Sequence, residues 1–265
     1  MRMSRVKAAL RKDRPALFYC LHLEDPSVWE MASLIGPDCL WLDLEHHSHS
    51  LRTASELMRA ARVGTSDVIA RPAKGEFMRM QRMLESGAQG ILYPRCDNAQ
   101  EAQEAVQSCK FAPLGRRGCD GGNPDMPYLS MDIADYVRVA NEETFLIIQI
   151  EDELASQEVE AILAVEGVDG AMLGPGDFSV LEGIPGQLQH EKIQQALDRI
   201  ATAARNTGKH WGTTVDSVQR AEELVEAGAR LLFTGADIVV IKNELEKIAE
   251  DWGSMGVHFE NRLLP

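Results

Sequence analysis

Eight short apolar runs recur along the chain: Ala16–Leu23, Cys39–Glu45, Asp67–Arg71, Gly90–Pro94, Phe145–Glu151, Gly170–Leu173, His210–Val215 and Arg230–Thr234. They are nearly continuous in apolar side chains and do not alternate strictly, the pattern of parallel strands covered on both faces. Between them, apolar residues repeat at helical spacing over Arg52–Ala61, Glu76–Glu85, Ala99–Ser108, Leu154–Val165, His190–Asn206 and Ser217–Glu226. The junctions repeat too. Glu85-Ser86-Gly87-Ala88 resembles Glu226-Ala227-Gly228-Ala229, and Val165-Glu166-Gly167-Val168 is a looser version. Each places a Gly where a helix must stop in the left-handed conformation just before a strand.

Repeating strand and helix units of roughly 33 residues predict a (β/α)₈ barrel, an α/β fold in which residues 1–265 form one domain. A doubly wound open sheet is the alternative, but no GxGxxG follows the first run, so the dinucleotide-binding version lacks its phosphate loop.

Composition narrows the function classes. Of 265 residues, 45% are hydrophobic and 26% charged, enough apolar mass for a packed core. The formal charge of −14 argues against nucleic acid, because phosphate contacts need clustered Lys and Arg. It also disfavours anionic membranes. An anionic substrate must then be held by local cations, backbone amides or a metal. Five cysteines with no CxxC pair suit a reducing compartment, and no apolar run reaches a membrane span, so a cytoplasmic protein is expected. The basic start reads as a short surface helix, since no apolar segment follows it as a secretory signal requires.

In such a barrel the chemistry lies where strands end. Glu151 and Asp177, from neighbouring strand ends, make a hard oxygen site that favours Mg²⁺ or Mn²⁺ over zinc; a helix cap and a turn are the plain alternatives. Gln149 shares a strand face with Glu151 and could donate to a bound oxyanion. Gly174-Pro175-Gly176 exposes backbone N–H groups beside Asp177, suited to a small carboxylate if a metal shares its charge. Asp43 and His46 have the makings of a carboxylate-oriented acid–base imidazole. His47 and His49 raise a His-x-His zinc site as an alternative, whereas His22 and His210 read as hydrogen-bonded core residues. Arg71 ends an apolar run before Pro72, so it needs an anionic partner: a substrate oxygen beside the metal, or a salt bridge to Asp43 or Glu45. The Gly-rich stretch Gly115–Pro124 reads as a mobile rim loop. No GxSxG elbow appears and no strand end carries a lysine (Lys74 is the nearest), so covalent catalysis is unsupported.

Taken together, Trp41-Leu42-Asp43-Leu44-Glu45-His46, Ala70-Arg71-Pro72, Gly87-Ala88, Tyr93-Pro94, Gly115-Arg116-Arg117-Gly118, Gln149-Ile150-Glu151, Gly167-Val168-Asp169-Gly170 and Gly174-Pro175-Gly176-Asp177-Phe178-Ser179 resemble the class II, metal-dependent pyruvate aldolases of the HpcH/HpaI type over nearly the whole length. The resemblance implies a barrel of the phosphoenolpyruvate/pyruvate-domain type, with its last helix swapped between subunits of a dimer or a trimer of dimers. It implies that Glu151 and Asp177 hold a divalent ion (Mg²⁺ or Mn²⁺, with Co²⁺ as an alternative) against the carboxylate and keto oxygen of pyruvate. The amides of Gly176 and Asp177 would take the carboxylate, Arg71 would lie against the keto oxygen, and His46, oriented by Asp43, would move the proton. Glu85 would reach a neighbouring subunit's site, and Glu45 and His47 border the residues named. The reaction implied is reversible cleavage of a 4-hydroxy-2-oxo acid to pyruvate and an aldehyde. Two alternatives are a lyase for CoA thioesters of the citramalyl or malyl type and a non-catalytic metal-binding scaffold. The chain departs from the family at His47-Ser48-His49 and at Cys119–Pro124, segments expected to border the aldehyde half of the substrate.

Overall fold

The computed structural model describes residues 2–263. Eight parallel strands close into a barrel in chain order: β1 (Ala16–Leu21), β2 (Cys39–Asp43), β3 (Asp67–Arg71), β4 (Gly90–Tyr93), β5 (Phe145–Ile150), β6 (Gly170–Leu173), β7 (His210–Thr214) and β8 (Leu231–Ala236). Strand β8 closes on β1 with Phe18 opposite Phe233, so no sheet edge is left open. Most of the eight apolar runs extend one or two residues beyond the strand they predicted, because those residues turn off the ladder at the C-terminal rim.

Twelve helices surround the strands among the described residues. They are α1 (Arg5–Leu10), α2 (Pro26–Ile35), α3 (Leu51–Ala61), α4 (Phe77–Ser86), α5 (Ala99–Cys109), α6 (Ile133–Glu143), α7 (Glu153–Gln157), α8 (Val159–Leu163), α9 (Pro175–Leu181), α10 (Glu191–Thr207), α11 (Val218–Glu226) and α12 (Asp237–Gly253). Ser50, Asn98 and Ser217 cap α3, α5 and α11 by accepting from the backbone N–H three residues on. Gly87, Gly167 and Gly228 all take the positive φ expected at the helix-to-strand junctions. The single helix expected over Leu154–Val165 is instead two short ones meeting at Glu158.

Period-2 alternation sorts every strand into two faces. Phe145 and Ile147 of β5 point into the barrel with Phe18, Cys39, Ile69, Leu92, Met172 and Phe233. Leu146, Ile148 and Ile150 point outward against the helices. Gly90 is required in the inner layer, since a Cβ there would lie 2.0 Å from the Phe145 ring. Continuing the same alternation puts Asp43, Arg71 and Gln149 in the topmost inner layer, one step above Trp41, Ile69 and Ile147. The barrel's own pleat aims these three polar side chains at one another.

The opposite mouth is closed by α1. The sequence suggested a surface helix, but Val6, Ala9 and Leu10 pack into the barrel's inner cluster. Ser4 Oγ donates to Asp67 Oδ2 at 2.6 Å, and the Val6 N–H donates to the same oxygen at 3.0 Å. Helix α12 is the converse case. Its Ile238, Val239, Val240, Ile241, Leu245 and Trp252 are exposed, an apolar face that nothing in the single chain covers. Among the described residues, no helix is long and apolar enough to cross a membrane.

Candidate active site

The C-terminal mouth opens into a cleft of about 360 Å³ lined by Trp41, Arg71, Gln149, Glu151, Met172, Gly174–Asp177, Leu188 and Thr214. Arg71 forms its floor. Its Nε and Nη2 donate to the two oxygens of Asp43 at 2.9 and 2.7 Å, and Nε lies 3.3 Å from Glu45 Oε2. Nη1 donates to Gln149 Oε1 at 3.3 Å, and the guanidinium lies 4.7 Å above the Trp41 ring. A salt bridge and a place in the cleft are therefore combined, not alternatives. An arginine has five N–H donors, and these bonds leave one free on each Nη. Burial works against ionising Asp43, yet Arg71 holds its carboxyl below the usual aspartate range. Glu45 has less help: burial raises its carboxyl, with Arg71 and His46 opposing.

Glu151 leaves the end of β5 and is only 3% exposed. Oε1 accepts from Gln149 Nε2 at 2.9 Å and Oε2 from the Arg95 amide at 3.0 Å. Gln149 thus bridges the arginine and the carboxylate, its oxygen toward one and its nitrogen toward the other. Burial, followed by the negative charge of Asp177, pushes the Glu151 carboxyl up to about 8. Asp177 sits in the first turn of α9. There the amides of Gly176 and Asp177 have no acceptor within the helix.

The family model for HpcH/HpaI aldolase/citrate lyase matches residues 16–243. The chain belongs to that family. It is 31% identical over 248 residues, 94% of each chain, to the 4-hydroxy-2-oxo-heptane-1,7-dioate aldolase of Escherichia coli. It is 34% identical over 239 residues, 89% of this chain and 92% of the relative, to the hydroxypyruvate/pyruvate aldolase of Roseobacter denitrificans. The crystal structure of an HpcH/HpaI aldolase from Desulfitobacterium hafniense superposes with a TM-score of 0.89 at 28% identity, covering 94% of this chain and 96% of that one.

Other residues anticipated within the HpcH/HpaI pattern stand as follows. His46 is on the rim with its side chain 52% exposed and Nε2 3.7 Å from Glu45 Oε2. The expected contact between Asp43 and His46 is not formed. Arg71 takes both Asp43 oxygens, and the imidazole facing Asp43 is that of His47, with Nε2 3.8 Å from Oδ2. Burial, together with the neighbouring histidines, holds the His47 imidazole below its ordinary value despite Asp43. The His47 ring lies between those of His22, 4.7 Å away, and His49, 5.4 Å away. His49 is buried with Nδ1 2.7 Å from Glu24, and His22 Nδ1 is 3.2 Å from Asp237. Among the described residues, no three His, Cys, Asp or Glu side chains gather so as to hold a metal, so the zinc alternative at His47 and His49 lacks a third ligand.

Glu85 lies away from the cleft, on α4, where Oε1 accepts from Gln81 at 3.0 Å. The Gly115–Pro124 segment does not line the cleft either, contrary to its reading as a rim loop. It is pinned beside α4, with the Gly118 N–H on Gln81 Oε1 at 3.2 Å. Arg117, buried, pairs with Asp125 at 2.7 Å and stacks over Phe111. An arginine that must be paired to be buried anchors this loop. Trp41, Met172, Leu188 and Thr214 also wall the cleft, although none carries a charge that marks it in the sequence. Trp41 was findable, being two residues before Asp43 on the same strand face; Leu188 follows a helix and carries no such signal.

Proposed function

We propose that the chain is a divalent-metal-dependent aldolase that reversibly cleaves a 4-hydroxy-2-oxo acid to pyruvate and an aldehyde. The observation that carries this reading is the buried Glu151 carboxylate beside Asp177, facing an arginine across Gln149. Its family membership and the names of its relatives support it.

Glu151 and Asp177 are the residues that would hold the ion. The donor set fits: burial, and after it the negative charge of Asp177, drives the Glu151 carboxyl toward protonation, a cost that a dication held by the two carboxylates would remove. Oxygen donors of this kind select Mg²⁺ or Mn²⁺, with Co²⁺ an alternative, and leave further positions to water and substrate. When bound, the ion supplies positive charge next to the oxygens of the 2-oxo acid. The N–H groups of Gly176 and Asp177 donate to the substrate carboxylate. The unused N–H groups of Arg71 donate to the keto oxygen, in a partly dry cleft where such bonds act strongly. Asp43 and Gln149 hold the guanidinium in that orientation.

In the cleavage direction the bond between C3 and C4 breaks and its electron pair stays on C3, shared with the keto oxygen. The C4 hydroxyl gives up its proton as the aldehyde carbonyl forms, and C3 gains a proton to complete pyruvate. His46, free of Asp43 and open to the rim, is the group that takes and returns these protons. The bare apolar face of α12 supports a homo-oligomer, a dimer or a trimer of dimers; a monomeric mass by light scattering would remove that part of the proposal.

The test is product analysis. Pyruvate and a panel of aldehydes, incubated with the protein and Mg²⁺ or Mn²⁺, should yield 4-hydroxy-2-oxo acids. No new carbon–carbon bond with any aldehyde sinks the reading.

A further inference from the structure

The Arg71 guanidinium is gripped round its edge. Nε and Nη2 bond to Asp43 and Nη1 to Gln149, and the N–H groups of a guanidinium all lie in its own plane. Such bonds fix how the group turns within that plane and leave its tilt to whatever meets its flat face. That contact is Trp41, whose ring centroid lies 4.7 Å from the Arg71 Cζ. The indole is itself well supported. It meets Phe233 at 81° with centroids 5.7 Å apart, Phe233 stacks on Phe18 at 4.3 Å, and Phe18 meets Phe145 at 76°. An aromatic column thus runs up the barrel interior and ends at the arginine.

Trp41 carries a second mark. Its Nε1 is buried and, among the described residues, has no hydrogen-bond partner. A stranded donor is unfavourable, and a phenylalanine or a leucine at this place would be free of it. What the indole alone adds is the face that attracts cations most strongly, set against a guanidinium that is only 6% exposed.

We infer that Trp41 is a positioning residue for Arg71: its ring sets the tilt of the guanidinium, so that the N–H groups left over by Asp43 and Gln149 point at the keto oxygen as negative charge gathers there. The inference rests on the aldolase reading. Trp41 takes no part in moving protons or in holding the cation. The keto oxygen of bound pyruvate is neutral and that of the enolate is anionic, so a loosened guanidinium weakens the enolate contact more than the ground-state one. The loss falls on kcat and spares KM.

The experiment compares the wild type, Trp41→Met and Trp41→Phe in aldol addition of pyruvate to propanal with Mn²⁺, and in inhibition by oxalate, a planar dianion with full negative charge where the enolate oxygen forms. Methionine fills much of the space but has no ring face; phenylalanine keeps one. The expected result is that Trp41→Met lowers kcat about tenfold and raises the oxalate inhibition constant about tenfold, with KM for pyruvate within about twofold of the wild type. Trp41→Phe should stay within about threefold of the wild type in all of these. A side chain that only filled space would lower Tm without separating oxalate from pyruvate. Wild-type kcat and oxalate inhibition in a folded Trp41→Met, or equal losses in Trp41→Met and Trp41→Phe, overturn the inference and leave the aldolase reading standing. Should circular dichroism show Trp41→Met unfolded, Trp41→Leu carries the same comparison. A wild type without aldol activity overturns both together.

Discussion

A Cβ on Gly174 would lie 2.6 Å from Glu151 Oε1 and 2.8 Å from Gln149 Nε2. The end of β6 therefore touches the carboxylate delivered by β5, and no side chain fits between them. Gly174→Ala should push Glu151 and Gln149 out of place. The displaced atoms are side-chain ends at an open cleft, so we expect a fall in kcat of roughly 10²-fold, the scale of an ångström-sized misplacement, with little change in Tm. Activity equal to the wild type would mean that Glu151 need not stand where it does.

Asp43 grips Arg71 with both oxygens. Replacing it with asparagine leaves Glu45 as the remaining anionic partner at 3.3 Å. Breaking a buried pair costs about 3–5 kcal/mol, and the surviving partner puts Asp43→Asn at or below the lower end. Thermal unfolding should shift down accordingly, and kcat should drop about 10²-fold as the guanidinium loses its aim. An unchanged kcat with a lowered Tm would confine this pair to stability.

His46 is exposed and makes no bond to Asp43. His46→Ala should slow carbon–carbon cleavage about 10²-fold or more, the usual scale of an acid–base group, while Mn²⁺ binds as before. A normal rate would take His46 out of the mechanism. Loss of Mn²⁺ binding would give it a different role.

At the opposite mouth, burial pushes the Asp67 carboxyl up to about 6, against the hydrogen bonds from Ser4 and the Val6 amide. The folded chain therefore holds this proton more tightly than the unfolded one, whose aspartate titrates near 4. The stability due to the protonated carboxyl is complete below about pH 4 and is lost as pH rises toward 6. Chemical denaturation at pH 4, 5, 6 and 7 should show wild-type stability falling relative to Asp67→Asn by up to about 3 kcal/mol across that window and staying level above it. A difference that does not vary with pH would contradict this account of the α1 plug.

The barrel was legible because strands buried on both faces leave apolar runs that recur at a regular spacing with helical segments between them, and because Gly87, Gly167 and Gly228 mark the helix ends. The cleft was legible only in part. Strand-end residues such as Arg71, Gln149 and Glu151 carry their position in the two-residue period of their strands. The rim residues do not. His46 and His47 follow β2 in irregular backbone, so spacing alone could not tell which imidazole would face Asp43. The contact between the Gly-rich loop and Gln81 of α4 depends on packing between distant segments, and so does the insertion of α1. Neither leaves a local trace in the chain.

The central claim is that Glu151 and Asp177 together bind a divalent ion. Titration calorimetry of EDTA-treated protein with Mn²⁺, near pH 8 in the absence of substrate, tests it most directly. The account predicts one site per chain in the wild type and its loss in Glu151→Gln and in Asp177→Asn, each with the fold intact by circular dichroism. Equal Mn²⁺ binding by the wild type and both variants, or none by a folded wild type, would contradict it.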